Sequence, residues 1–190
     1  MCARFNVDGE VIEEMISKAD TRNPALRELP QGDIRPSEPS PIIAGHRDMI
    51  HAGIMRWGLP RYDGKGLIIN TRSETALEKQ MFYESMRYRR CVIPAKVFYE
   101  WDHQKHLTTF SLPDHSIIWM AGIYDQEYRF SVLTTAANES VKKIHDRMPL
   151  ILAREDLRQW LFDFYAVRDL MGKKMPVLKH RQDNEQMSLF

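Results

Sequence analysis

The sequence predicts an α+β fold built on mixed or antiparallel sheets. Three observations carry that prediction. Short strand-type runs crowd the middle of the chain, between residues 91 and 134. Helical periodicity is confined to short segments near 10–19, 76–87 and 154–164. The regular strand–helix–strand rhythm of a parallel sheet is missing.

Each element has its own reason. Residues 4–8 alternate as Arg4-Phe5-Asn6-Val7-Asp8 and read as a strand leading from the terminus. Val11, Ile12, Met15 and Ile16 recur at helical spacing around Glu13 and Glu14, so 10–19 reads as an amphipathic helix. Pro30, Pro36, Pro39 and Pro41 make 30–41 an extended, turn-rich loop. Ile42-Ile43-Ala44 and Leu67-Ile68-Ile69 are apolar runs of strand type. Thr75 with Glu78 three residues on fits a capping box. It predicts a helix over 76–87 that turns Leu77, Met81, Phe82 and Ser85 inward. Five strands follow: Cys91-Val92-Ile93, Val97-Phe98-Tyr99, 108–112, 117–124 and 128–134. Then come a helical turn over 138–144, a strand over 148–152, and a helix over 154–164 with Leu157, Trp160 and Leu161 as its stripe. Residues 179–185 are polar and predict a mobile tether.

Composition sets bounds on function. The chain has 190 residues, enough for one domain with a proper core. Its net charge of +1 excludes a global basic field, so a nucleic-acid site must be a local patch. Two cysteines, Cys2 and Cys91, make neither a disulfide framework nor a four-thiolate zinc site. The histidines lack paired ligand spacing, so no metal and no cofactor is expected. Nucleotide-loop, zinc-protease and serine-hydrolase motifs are absent. No run of 18 apolar residues and no signal pattern is present, which leads to the expectation of a reduced cytoplasmic protein with no membrane partner.

A few residues carry chemistry. Initiator Met1 is normally trimmed ahead of a small residue, and the mature chain would then begin with Cys2. A terminal cysteine carries an α-amine titrating near about 7.7–8.0 and a thiol near about 8.5. The amine attacks an aldehyde to form a Schiff base, and the thiol closes on the same carbon as a thiazolidine. Asn70 ends an apolar strand run, Glu100 lies in the aromatic stretch Val97-Phe98-Tyr99-Glu100-Trp101, and His145 stands between a helical turn and a strand. Burial would raise the Glu100 pKa toward the range useful for proton transfer, and an imidazole is the default acid–base group near neutrality. Each has a plainer alternative: a turn cap for Asn70, a surface ion pair with an arginine for Glu100, a structural histidine for His145, and a local Asp146–Arg147 pair. Arg4, Arg72 and Arg147 could face phosphates, whereas Arg87, Arg89 and Arg90 read as the solvated end of a helix. Trp57 could stack on a base or be a core tryptophan with its N–H satisfied.

Six blocks in order resemble the SRAP family, the SOS-response-associated peptidase or abasic-site processing proteins. They are Met1-Cys2-Ala3-Arg4-Phe5, Arg56-Trp57-Gly58-Leu59, Ile69-Asn70-Thr71-Arg72-Ser73-Glu74-Thr75, the run from Arg90 to Ala95 that leads into Phe98-Tyr99-Glu100-Trp101, Thr134-Thr135-Ala136-Ala137-Asn138, and Ile144-His145-Asp146-Arg147-Met148-Pro149. The resemblance implies one domain over 1–178 with a barrel-like core flanked by short helices. It implies single-stranded DNA containing abasic sites as partner, and Cys2 as the nucleophile that crosslinks the abasic aldehyde after Met1 is removed by the protein itself. In that reading Asn70 positions the terminal amine and the sugar. Glu100 shuttles protons, and His145 assists ring opening. Arg4, Arg72 and Arg147 hold phosphates, and Trp57 lies where the strand leaves the duplex. Ala3 and Thr71 stand where the family usually has Gly and Ala.

The chain ends Gln186-Met187-Ser188-Leu189-Phe190, which resembles the short peptide with which bacterial proteins bind the replication sliding clamp. Residues 179–190 are therefore expected to be a flexible tail offering Gln186, Leu189 and Phe190 to the clamp. A monomer associated with the nucleoid is the corresponding expectation. Two other functions compete: an N-terminal-nucleophile cysteine hydrolase acting on amides, and a non-catalytic module that binds DNA junctions and recruits the clamp.

Overall fold

A computed structural model describes residues 2–20 and 24–186, and their fold is α+β with mixed sheets. In chain order the elements are β1 (Arg4–Val7), α1 (Gly9–Lys18), β2 (Gly32–Ile34), β3 (Pro39–His46), β4 (Met49–Trp57), β5 (Leu59–Pro60), β6 (Leu67–Ile68) and β7 (Asn70–Arg72). Next are α2 (Ser73–Ala76), α3 (Gln80–Tyr88), β8 (Arg90–Ala95), β9 (Val97–Trp101), β10 (His106–Ser111), β11 (Ile118–Tyr124) and β12 (Arg129–Ala136). The chain continues with β13 (Arg147–Pro149), β14 (Ile151–Leu152), α4 (Leu157–Phe162), α5 (Val167–Gly172) and β15 (Lys179–Gln186). No helix among the described residues is long and apolar enough to cross a membrane.

Two sheets share the core. The smaller is antiparallel throughout, in the order β15-β10-β9-β1-β2. Alternation along β1 sends Phe5 and Val7 inward and leaves Arg4 and Asn6 on the outer face. The larger runs β13-β12-β4-β3-β8-β11-β14, and β11 pairs with β12 as well, so five of its strands close into a ring. β4 and β7 both lie parallel to β12, while its other pairings are antiparallel. β8 is buried along its whole length, which suits a strand covered on both faces.

Trp57, at the end of β4, joins the two sheets. Its ring lies 4.9 Å from Phe5 and stacks on Phe130 of β12, and its indole N–H donates to the Ile69 carbonyl at 2.9 Å. The side chain has no solvent exposure. The base-stacking role expected of Trp57 is thus replaced by a core role, because its apolar ring fills the seam between sheets and its one polar atom is satisfied there. The chain then turns at Gly58, whose φ of +120° suits glycine and where a Cβ would meet Leu67.

Helix ends are met by side chains. Asp8 caps α1 by accepting from Val11 N–H at 2.9 Å, and Val11, Ile12 and Met15 form its buried stripe. Arg90 is buried, not solvated as its neighbours in sequence suggest. It donates to the Trp160 and Leu161 carbonyls and to those of Met86 and Arg87, joining the C-terminal ends of α4 and α3. Those four carbonyls are the orphan acceptors of two helix termini, and they offset the cost of burying the cation.

Other expectations need correction. The proline-rich stretch 30–41 contains β2 and the start of β3. β8 joins β3 only at Ile43 and Ala44, so Pro39 and Pro41 fall where one side of the strand needs no N–H donor. Thr75 does not open a helix: it lies inside α2, which follows directly on β7, and Lys79 caps α3 with no side-chain bond. The buried face of α3 is Phe82, Ser85 and Met86, and Met81 is exposed. The segment read as a mobile tether is β15, paired antiparallel with β10 from Ser111↔Lys179 onward. Backbone pairing needs no apolar side chains, and β15 covers what would otherwise be the open edge of β10. Leu189 and Phe190 of the clamp-type peptide lie outside the described residues, and of Gln186 only the backbone is described.

Trp57→Phe keeps most of the seam but removes the N–H. It is expected to lower unfolding free energy in urea by about 1–3 kcal/mol. A urea midpoint equal to that of the native chain would contradict a buried indole whose N–H is satisfied.

Candidate functional site

Cys2 precedes β1 and is buried. Its S–H donates weakly to the Arg4 carbonyl at 3.6 Å. Burial pushes the thiol pKa up, and the negative charge of Glu100 adds to that. The group is therefore a thiol at neutral pH and needs a base to become a nucleophile. Asn70 reaches it from β7: its amide Nδ2 donates to the Cys2 carbonyl at 2.8 Å across 68 residues of sequence. The Asn70 Oδ1 is buried and has no hydrogen-bond partner among the described residues. One end of this amide thus holds the terminal residue and the other presents an acceptor.

The strand that carries Asn70 is well fixed. The Ile69 carbonyl before it accepts from Trp57 and also from Val132 N–H at 3.0 Å. Thr71 is buried and shares a 2.9 Å hydrogen bond with the Ser131 hydroxyl of β12. The hydroxyl that distinguishes Thr71 from alanine is therefore satisfied in the interior.

Glu100 lies on the inward face of β9, beyond Phe98, and is 1% exposed. The surface ion pair that was its plainer reading is excluded by that burial. Desolvation pushes its carboxyl up to about 7. A carboxyl with this titration is half protonated near neutrality and serves as acid or base without a large driving-force penalty.

His145 stands just before β13, a quarter exposed. Its Nδ1 accepts from Arg147 N–H at 3.0 Å. Asp146 Oδ1 is 2.8 Å from the same nitrogen, which can donate there only when protonated. Burial lowers the ring's pKa, so the neutral form with Nδ1 accepting from Arg147 is the one consistent with the backbone contact, and Nε2 carries the hydrogen. Asp146 is largely exposed and is the partner free to swing away.

The three arginines expected to face phosphates differ. Arg147 is not paired with its neighbour Asp146. It makes a two-pronged contact with Glu74 at 2.6 and 2.8 Å and donates to the Thr134 carbonyl at 2.6 Å. Those bonds hold the Glu74 carboxyl below its usual range. Arg4 is tied to Asp33 of β2, at 2.7 Å from Nε, and lies over the Tyr99 ring. Arg72 caps α2 through its backbone and keeps an exposed side chain. β12 brings the two parts of the site together: Asn70 is in register with Val132 and Arg147 with Ala136. Glu74 went unassigned in the sequence because its partner lies 73 residues away; two residues after Arg72, it carried no local signal of that pairing.

Glu100 also leaves a mark on stability. Its folded pKa is raised above the ordinary 4.5 to about 7. Its contribution is therefore fully present below the lower value and is lost as pH rises through about 7. Glu100→Gln is expected to match the native chain in urea unfolding at pH 4 and to exceed it by about 3 kcal/mol at pH 8.5. Equal stabilities at both pH values would contradict a buried, titrating carboxyl.

The family described as SOS response associated peptidase (SRAP) matches residues 1–188. Abasic site processing protein YoaM of Bacillus subtilis (strain 168) is 32% identical over 180 residues, covering 85% of this chain and 79% of its own length. Abasic site processing protein YedK of Escherichia coli (strain K12) is 29% identical over 131 residues, covering 63% of this chain and 59% of its own. A phage-related protein of known structure from Bordetella bronchiseptica shares the fold, with a TM-score of 0.79 at 18% identity over 97% of this chain and 95% of that one. The match takes in every residue of the site from Cys2 to Arg147, and the chain belongs to the SRAP family.

Proposed function

We propose that the protein, once Met1 is removed, captures the aldehyde of an abasic site in single-stranded DNA as a covalent thiazolidine on Cys2. The observation that carries this reading is the Asn70 amide. It holds the Cys2 carbonyl and keeps a buried acceptor for an N–H, which the freed terminal amine would supply. The naming of the relatives in Bacillus subtilis and Escherichia coli as abasic site processing proteins supports the same substrate.

The chemistry balances with the groups present. Neutral His145 assists opening of the abasic sugar to its aldehyde. The Cys2 amine adds to the carbonyl carbon and forms a carbinolamine. Protonated Glu100 gives its proton to the departing hydroxyl, which leaves as water, and an iminium remains. The Cys2 thiol then passes its proton to the Glu100 carboxylate as sulfur bonds to the same carbon. One C–N and one C–S bond form, one water is released, and Glu100 ends protonated as it began. A carboxyl titrating near about 7 fits a group that must act first as acid and then as base. Arg72, exposed two residues after Asn70, would meet a phosphate in this reading. While Met1 stays attached the nitrogen is a peptide nitrogen and no ring can close.

The test is a single-stranded oligonucleotide carrying one abasic site, run on a denaturing gel with intact mass analysis. The expected species is the chain without Met1 plus the oligonucleotide minus one water. Cys2→Ser should give no stable adduct and keep DNA affinity. A trimmed, folded chain that forms no adduct would refute the reading.

Glu100→Gln should slow adduct formation by about 10²-fold. The residual rate should also lose the titration near pH 7, measured by quenched time courses between pH 5.5 and 9. A rate within twofold of the native chain across that range would remove Glu100 from the mechanism.

A further inference from the structure

The β9–β10 pair holds a buried polar group that the chemistry above does not use. Thr108 of β10 has no solvent exposure, and its Oγ1 is buried with no hydrogen-bond partner among the described residues. In register Thr108 lies directly across from Glu100. The next inward pair on the same ladder is Phe110 opposite Phe98, whose rings stack at 5.0 Å. Directly opposed residues of antiparallel strands face the same side, with Cβ atoms about 4.5–5.5 Å apart. Hydroxyl and carboxyl therefore share one enclosed face, walled by aromatic rings. On its other side Thr108 is in register with Gln182 of β15, but that amide donates to Asp102 at 2.9 Å. A valine would fill the same space and leave no polar atom to satisfy, so the hydroxyl calls for an intermittent partner.

We propose that Thr108 is a positioning residue for Glu100: its hydroxyl turns to donate to the carboxylate when Glu100 is ionised and releases it when Glu100 is protonated. The proposal rests on the reading of Glu100 as the proton carrier. One step between staggered χ1 rotamers moves the hydroxyl without moving the strand. A donor to the charged form counters desolvation and lowers the carboxyl's midpoint. Among the described residues, the Cys2 thiol before β1 and Asp146 beside β13 also act on Glu100. β10 supplies Thr108 and the apolar Phe110 to this face.

The full-length protein, with ¹³C-labelled glutamate carboxyls, can be titrated by NMR without DNA, using Glu100→Gln to assign the signal. Thr108→Val is expected to raise the Glu100 midpoint by about one pH unit, and Thr108→Ser to return it close to the native value. The pH profile of adduct formation should move in the same direction in Thr108→Val. Should the valine variant fail to fold, Thr108→Ala carries the same expectation. A folded Thr108→Val or Thr108→Ala chain that titrates at the native midpoint would overturn the proposal. A shifted midpoint with no adduct in the native chain would sustain it and overturn the abasic-site reading instead.

Discussion

Trp57 is the constraint on which the site depends. Its ring packs on Phe5, three residues after Cys2, and its N–H holds the carbonyl of Ile69, one residue before Asn70. A single buried side chain therefore sets where the terminal strand lies relative to the strand that reads it. The Asn70–Cys2 hydrogen bond spans 68 residues and has a defined length only because both ends are referred to that indole. A flexible first residue would spend most of its time away from any partner. Here, burial of Phe5 and Val7 in β1 removes that freedom before a substrate arrives.

The same burial tunes the chemistry. Cys2 and Glu100 both lose their water, so the thiol stays protonated and the carboxyl is pushed up to about 7. Each shift favours the neutral form, and the two reinforce each other, since a charge on Glu100 disfavours a charge on Cys2. His145 is a third case of the same rule, held neutral by partial burial and oriented by Arg147 N–H. Arg147 is in turn held by Glu74, which links α2 to β13. Among the described residues, Arg4 and Arg147 are committed to carboxylates, whereas Arg72 keeps an exposed side chain. A phosphate arriving at Arg4 or Arg147 would compete with Asp33 or Glu74 for them.

Elements whose information is local were legible in the sequence. β1, α1, β8 through β12 and α4 follow from alternation or helical spacing of their own residues, and each is found close to its expected place. Elements set by distant partners were not legible. β15 is polar and pairs only because β10 offers an edge. β3 tolerates prolines because β8 arrives two residues later. Arg90 looks like one of three surface cations, yet two helix termini meet over it. Trp57 has the sequence neighbourhood of an exposed wedge, and only the packing of Phe5 and Phe130 makes it core.

By itself, the sequence determined the chemical inventory and the family: a cysteine at position 2, an asparagine, a carboxylate and an imidazole, in ordered blocks that match SRAP proteins. Those are properties of residue type and order, which survive without coordinates. The tertiary structure decided which of these groups are dry, which are paired, and which share a face. Desolvation and hydrogen bonding depend on neighbours brought from 60 or more residues away, as with Asn70 on Cys2, Ser131 on Thr71 and Glu74 on Arg147. Burial converts Glu100 from an ordinary glutamate into a carboxyl that exchanges protons near neutrality, and no local pattern of residues encodes that burial.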